Sequence, residues 1–337
     1  ELARYDMDNY VNGIINYGPT RIAIDEDGNA WVERYVGNAP LVKIIADISK
    51  CIDKNNNSII ETSNSTKMLP LKDDECLVQM PKLQDYALTY YGLAIDNNRY
   101  IWLGNYDYQK FIKIDPVTMK KVADVDIKSF TYNAAVDIDG NLWTSNLFDG
   151  TISKIDTTTN KLLWKKTIKD STGKTLRPWD IYIDGNDIYF SISDDFTGIN
   201  NYYYLAMKVD SDGNLLQIYR TPGKLNLGRS LTVDKSGFLW VANPSTVVDT
   251  DKASSVDKFN VNTGELKCSA ATNLTSYKNV VPYVAYTDQQ GNIWAINGLG
   301  DAARAFGDAV KINPDTCEII SSTPVGKYPI PYSYHLF

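Results

Sequence analysis

The chain has 337 residues, 43% of them hydrophobic and 12% aromatic, with 23 tyrosines and a net charge of −7. That supplies a sizeable core and suits strands and turns better than helices. The acidic balance argues against nucleic acid or an anionic membrane as the main partner, and no apolar run reaches the roughly 18 residues of a membrane-spanning helix.

The opening, ELARYDMDNY, has neither an initiator Met nor an apolar signal core, so a mature or trimmed chain is expected. Further along, one short hairpin recurs: DEDGNAWVER from Asp25, DNNRYIWLGN from Asp96, DIDGNLWTSN from Asp137, DKSGFLWVAN from Asp234 and DQQGNIWAIN from Asp288. The aromatics that follow each turn are Trp31, Trp102, Trp143, Tyr189, Trp240 and Trp294, spaced 71, 41, 46, 51 and 54 residues apart. An apolar strand ending in Asp precedes each turn (RIAID, GLAID, AAVD, IYID, LTVD, VAYTD). A strand containing Lys follows (LVKI, FIKID, ISKID, AMKVD, VDKFN, AVKIN), then a turn and a fourth strand such as KLLWKKTI. Period-2 alternation with Asp, Gly and Asn punctuation marks all of these as strands.

Four-stranded antiparallel units at this period are the blades of a β-propeller, which places residues 1–337 in one all-β domain. The large aromatics are expected to fill the seams between blades. At the ends, LARYD (Leu2–Asp6) has the third-strand pattern. PIPYSYHLF has the first-strand pattern, with Pro331 in the place of Pro19, Pro178 and Pro282. The expectation is therefore seven four-stranded blades, the last built from both termini and lacking its second strand. Such a gap leaves backbone groups open to strand donation from another chain.

The first spacing is long because it holds an insertion at 46–80. Its cysteines, Cys51 and Cys76, bracket it; with Cys268 and Cys317 the count is even and has no CxxC spacing. The expected pairs are Cys51–Cys76 and Cys268–Cys317, which would place the protein outside the cytoplasm; four buried free thiols are the alternative. Within the insertion, DKNNNSIIETSN sets Asp53, Asn55, Asn57 and the carbonyl of Ile59 at positions 1, 3, 5 and 7 of an EF-hand-type calcium loop. Position 6 is Ser58 rather than Gly and position 12 is Asn64, so Glu61, Asp74 and Glu75 are the further candidate ligands. The ion would order the loop and would not be catalytic. An Asn-rich turn satisfied by water is the alternative. Asn-x-Ser/Thr sequons fall at Asn56, Asn64 and Asn273.

Elsewhere there is no P-loop, no Rossmann fingerprint and no GxSxG elbow, and GLGDAARAFGD (298–308) reads as a loop. The tyrosines of NNYYYLAMKVD, chiefly Tyr202 and Tyr203, are the exposed-aromatic candidates for ligand contact. The polar residues at the starts of first strands are Arg21, Asn133, Arg177, Asp180 and Arg229, a set richer in cations than in carboxylates.

The DxxGNxW…KID…TG units resemble the propellers of the streptogramin (virginiamycin B) lyase-like superfamily and, more loosely, NHL repeats and gluconolactonase-like propellers. CIDKNNNSIIETS followed by LPLKDDECLVQM looks like secreted prokaryotic propeller proteins with a Cys-bracketed Asp/Asn loop. The superfamily resemblance implies, for an enzyme, a histidine base with Mg2+, or a divalent ion held in the channel by Glu, Asn and Asp. The sole histidine is His335, so no inner-strand histidine is present as a base. No catalytic residue is assigned. The expected function is that of an extracellular or cell-surface binding or assembly module with a structural Ca2+. Its partners would be copies of itself in a filament or surface layer, another surface protein, or a glycan. A channel metal-dependent lyase or lactonase-type hydrolase and a carbohydrate-binding adhesin are the alternatives.

Overall fold

The computed structural model describes Tyr5 and residues 9–11, 14–16, 19–34, 40–64, 67–81, 89–193, 204–222, 226–244, 254–271, 281–298 and 306–327. These fall into two compact units, one running to Thr131 and one from Tyr132. The first begins with a hairpin of β1 (Asn9–Val11) and β2 (Ile14–Asn16). Blade 1 follows as β3 (Pro19–Ile24), β4 (Ala30–Arg34), β5 (Leu41–Ile44) and β6 (Leu77–Gln79). Blade 2 is β7 (Tyr90–Ile95), β8 (Ile101–Asn105), β9 (Lys110–Ile114) and β10 (Lys121–Asp126).

The second unit holds four blades. Blade 3 is β11 (Asn133–Val136), β12 (Asn141–Asn146), β13 (Thr151–Asp156) and β14 (Lys161–Thr167). Blade 4 is β15 (Pro178–Asp184), β16 (Asp187–Ile192), β17 (Ala206–Val209) and β18 (Leu215–Tyr219). Blade 5 is β19 (Leu231–Val233), β20 (Phe238–Asn243), β21 (Ser255–Asn260) and β22 (Leu266–Ala271). Blade 6 is β23 (Val281–Thr287), β24 (Ile293–Gly298), β25 (Phe306–Ile312) and β26 (Ile319–Lys327). Each blade is an antiparallel meander in chain order.

The expectation of seven blades is thus corrected to six. Each blade needs one Asp-turn-aromatic hairpin for its first two strands, and the sequence holds six. Of the segments assigned to a seventh, Tyr5 lies in no strand and the rest of 2–6 and 331–337 lie outside the described residues. A second difference is that β25 begins at Phe306, inside the stretch read as a loop.

One interaction set recurs in five hairpins. The repeat Asp accepts the backbone N–H groups of its own turn, as Asp25 Oδ1 does from Asp27 and Asn29 at 3.0 and 2.9 Å. Its other oxygen receives the indole N–H six residues on. These bonds are Trp31 to Asp25, 2.9 Å; Trp102 to Asp96, 2.9 Å; Trp143 to Asp137, 2.7 Å; Trp240 to Asp234, 2.8 Å; and Trp294 to Asp288, 2.8 Å. Cross-strand from each Trp stands the third-strand Lys. Its ammonium lies 4.9–5.7 Å from the indole centroid in the Lys154 and Lys311 extremes, and in blades 2, 3 and 5 it is 3.3, 3.3 and 3.6 Å from the same carboxylate. Blade 4 has a tighter turn and puts Tyr189, Asp187 and Lys208 in these roles, with the ion pair at 2.7 Å.

The clamp holds flat rings upright in seams. Trp31 packs with Leu93, Ile101 and Leu103 of blade 2; Trp143 with Ile181, Ile188 and Phe190 of blade 4; Tyr189 with Leu231, Leu239 and Val241 of blade 5; and Trp240 with Ala285, Ile293 and Ala295 of blade 6. The seam role expected of the aromatics is therefore borne out for these four. Both disulfides also form. Cys51–Cys76, Cα–Cα 4.6 Å, closes the insertion, and Cys268–Cys317, Cα–Cα 6.4 Å, ties β22 to the turn between β25 and β26.

Four of the first strands, β3, β7, β15 and β23, carry a register shift near their start, as between Tyr90 and Leu93. Such a bulge releases a backbone N–H that needs another acceptor. In blade 4 the Asp180 N–H finds Ser191 Oγ at 2.9 Å. In the first unit the Gly92 N–H finds Glu33, which is fully buried, accepts from Thr20 Oγ1 at 2.8 Å and has Arg21 nearby. Burial dominates, and it pushes this carboxyl from 4.5 up to about 7 despite Arg21.

Asp234→Ala is expected to cost about 3 kcal/mol in denaturant unfolding, because it strands a buried indole N–H and a buried ammonium. Asp139→Ala, in an exposed turn position, should stay within about 0.5 kcal/mol. Glu33 has a folded pKa above its unfolded value, so its protonated form favours the fold. That contribution is complete below pH 4.5 and disappears as pH rises through about 7. Between pH 4.5 and 8, the stability of Glu33→Gln relative to the parent should rise by about 3 kcal/mol.

Candidate functional site

The insertion lies between β5 and β6, whose three residues form its far end. A turn at Ile48–Lys50, capped by Asp47, leads into Cys51. Asp53 accepts the N–H groups of Asn57 and Ser58 at 3.2 and 2.8 Å, Asn55 that of Asn57 at 3.0 Å, and Asn57 that of Ile59 at 2.8 Å. Ser58 has φ +65°, so the serine takes the left-handed conformation in which glycine is usual at position 6. Glu61 joins through Asn55 Nδ2 at 2.6 Å. Asp53, Asn55, Asn57, Ile59 and Glu61 therefore share one exposed loop.

Asp74 and Glu75 do not join them. Glu75 receives the N–H groups of Lys54 and Glu61, both at 2.8 Å. Asp74 receives the Thr62 hydroxyl at 2.8 Å, the Ser63 N–H at 2.9 Å and the Cys76 N–H at 3.1 Å. These two buried carboxylates brace the insertion from inside. Among the described residues no group of three or more His, Cys, Asp or Glu could hold a metal ion. The loop's oxygen-bearing residues stand at positions 1, 3, 5, 7 and 9, and position 12 is Asn64, which carries no carboxylate.

A second cluster emerges from the repeat itself. Counting back five residues from each blade's turn Asp gives Thr20, Tyr91, Tyr132, Trp179, Arg229 and Tyr283; four back gives Arg21, Gly92, Asn133, Asp180, Ser230 and Val284. In the second unit the first of these series makes a continuous row. Phe148 meets the Tyr132 ring at 6.4 Å, and Tyr132 meets Trp179 at 4.7 Å. The Arg229 guanidinium lies 3.8 Å over Trp179 and 5.3 Å from Tyr283, and donates to Ser193 Oγ at 2.9 Å. Beneath the row, Asp180 accepts from Asn133 Nδ2 and from the Ile181 N–H. Arg177 donates to the carbonyls of Leu147 and Phe148 at 3.3 and 2.5 Å. In the first unit a similar chain runs from Arg21 over Tyr91, 5.5 Å, through Tyr106 to Phe130.

Of the expected polar residues, Asn133, Arg177, Asp180 and Arg229 lie in the second unit, and Arg21 in the first. Tyr202, Tyr203, Asn273 and His335 lie outside the described residues. The neighbouring Tyr204 donates its hydroxyl to Asp170 at 3.0 Å. The seam aromatics do not reveal the row; it stands eleven residues upstream of each of them, and ten in blade 4.

A guanidinium stacked on one ring and beside a second is a rigid cation–π element. Its residues are buried: Tyr132, Trp179, Arg229 and Tyr283 keep 4–7% of their surface open, and the Asn133–Asp180 pair none. Among the described residues it holds no histidine.

No protein-family profile and no curated protein matches the sequence. Solved structures do match in shape. Virginiamycin B lyase from Staphylococcus aureus aligns with a TM-score of 0.65 at 13% identity, covering 92% of this chain and 85% of the lyase. A catalytically inactive histidine-to-alanine variant of that lyase with quinupristin gives 0.62 at 13% identity, covering 94% and 85%. A WD40 β-propeller domain gives 0.59 at 10% identity, covering 96% and 84%. At such identities the likeness carries the fold alone: a β-propeller similar in shape to virginiamycin B lyase, with six four-stranded blades among the described residues.

Proposed function

We propose that this protein is a non-catalytic binding module that works outside the cell and takes a glycan-type ligand at the Tyr132–Trp179–Arg229–Tyr283 row. The row carries the proposal: equivalent positions of four successive blades bring three rings and a guanidinium together, packed so that each keeps only 4–7% of its surface open. Aromatic rings suit the apolar faces of sugar rings, while Arg229 supplies a cation beside them. The structurally similar lyase is inactive when a histidine is replaced by alanine, and no histidine lies among the described residues of this chain, its one histidine being His335. Two disulfides favour an oxidising compartment. Strand donation has no open blade to act on among the described residues, so the proposal is confined to ligand binding.

We also propose that the Asp53–Glu61 loop takes a structural calcium ion. Its support is the alternation of oxygen donors together with the left-handed Ser58.

A glycan array is expected to return binding that Arg229→Ala weakens at least tenfold, with Trp179→Phe weakening it less. Lactone and streptogramin B substrates with Mg2+ should stay at the buffer rate. Chelator-sensitive turnover abolished by Asp180→Ala would instead favour a channel hydrolase or lyase. For the loop, calcium at a hundred times its dissociation constant is expected to add about 2.7 kcal/mol of stability. Asp53→Asn should remove that gain.

A further inference from the structure

The residue just before the third-strand lysine is buried in every blade, and in four of them it is apolar: Val42, Ile112, Met207 and Val310. In blade 3 it is Ser153, whose Oγ accepts from Nδ2 of Asn146, the last residue of β12, at 2.9 Å. In blade 5 it is Asp257. Here Asn243, the last residue of β20, donates to Asp257 Oδ2 at 3.3 Å, and Thr221 Oγ1 donates to the same oxygen at 2.6 Å. The blade therefore accepts an apolar side chain or a neutral hydroxyl at this place, and does not need a charge. Asp257 is fully buried, and among the described residues its Oδ1 has no hydrogen-bond partner.

A carboxylate taken wholly out of water is costly unless a cation compensates it. Its chain neighbour Lys258 does not do so. Successive side chains leave a strand on opposite faces, and the Lys258 ammonium goes to Asp234 at 3.6 Å and to the Pro314 carbonyl at 2.6 Å. Asp308 in blade 6, which also takes an Asn amide, is served on both oxygens, by Asn297 at 2.9 Å and by Ser322. Around Asp257 the polar groups are neutral and rich in oxygen. Thr221 and Asn226 clasp each other, the Thr221 N–H donating to Asn226 Oδ1 at 2.7 Å and Asn226 Nδ2 to the Thr221 carbonyl at 3.2 Å. The Leu227 N–H donates to Asn243 Oδ1 at 3.3 Å. The connection from β18 to β19 is thereby fastened to Asp257 and to its amide partner, and Thr221, Asn226 and Asn243 are all buried.

We propose that Asp257 anchors a buried monovalent cation of the alkali-metal type, held between β21 and the connection that follows β18. Oδ1 supplies the charged ligand. Thr221 Oγ1 and Asn243 Oδ1 keep a lone pair each for the ion beside the hydrogen bonds they already make. One carboxylate among neutral oxygens matches a single positive charge. Calcium sites draw on more carboxylate, and among the described residues no group of three His, Cys, Asp or Glu forms here. The site is separate from the Asp53–Glu61 loop and from the aromatic row, and rests on neither.

Thermal unfolding of the full chain at one ionic strength in sodium, potassium and N-methylglucamine chloride tests this, with a divalent-ion chelator in every sample so that the calcium loop plays no part. Sodium or potassium is expected to raise the midpoint by about 4 °C over N-methylglucamine, which is too large to enter; the more effective of the two is the preferred ion. Asp257→Asn, and Asp257→Ser, which copies blade 3, should unfold at one temperature in all three salts. Asp53→Asn should keep the parent's difference. Circular dichroism checks that the variants fold. Should neither Asp257 variant fold, Thr221→Val removes a ligand oxygen while keeping the side chain's shape, and should raise the cation concentration of half effect at least tenfold. Equal midpoints of the parent in all three salts, as a neutral or water-served Asp257 would give, overturn the proposal. So does a salt difference that survives in Asp257→Ser, or a half-effect concentration unchanged in Thr221→Val.

Discussion

A buried indole N–H must find an acceptor, and that requirement organises this molecule. The turn Asp supplies the acceptor, and the same carboxylate also orders the turn through its other oxygen and draws in the third-strand lysine. One side chain thus fixes hairpin geometry, strand pairing and the attitude of the ring that fills the seam. Desolvating a carboxylate and an ammonium is costly when either is left alone. Here each is matched, and the residual hydrogen-bonding capacity of the lysine goes to a neighbouring blade, as Lys258 does to the Pro314 carbonyl at 2.6 Å. The repeat is a local solution to a hydrogen-bonding problem, copied with one variation at Tyr189.

Much of this was legible from the sequence because the clamp lies within a window of about twenty residues. Asp, Gly, Trp and Lys stand at near-constant offsets, so strand order, seam filling and the cysteine pairs could be read directly. The blade number went wrong where the reading relied on a partial unit. Pro331 and its neighbours share the pattern of a first strand, and that pattern alone does not make a blade. Complete hairpins are the safer count, since a blade's second strand is the one that anchors the ring.

The sites were less legible, for a physical reason. Tyr132, Trp179, Arg229 and Tyr283 differ in chemistry while sharing a position, so no repeated letter announces them; only the frame set by the turn Asp does. Within the insertion, the alternation at Asp53, Asn55 and Asn57 was readable, as was the possibility that Cys76 brings Asp74 and Glu75 back. What spacing could not tell was their direction. Both carboxylates are taken up by backbone N–H groups of the segment they close, because a long insertion with little apolar content leaves many donors unsatisfied.

The Cys268–Cys317 bond sits at the far edge of its two blades, on an outermost strand and an outer turn. Packing between those blades is concentrated around Trp240, nearer the middle of the sheets. A pull on the end of β26 would act on that packing like a lever, opening it from the rim inward. The covalent tie removes the lever arm, so tension is borne as shear across many contacts rather than as peeling of a few. For a protein exposed to flow or to the drag of a bound polymer, mechanical endurance would then exceed what its equilibrium stability alone implies.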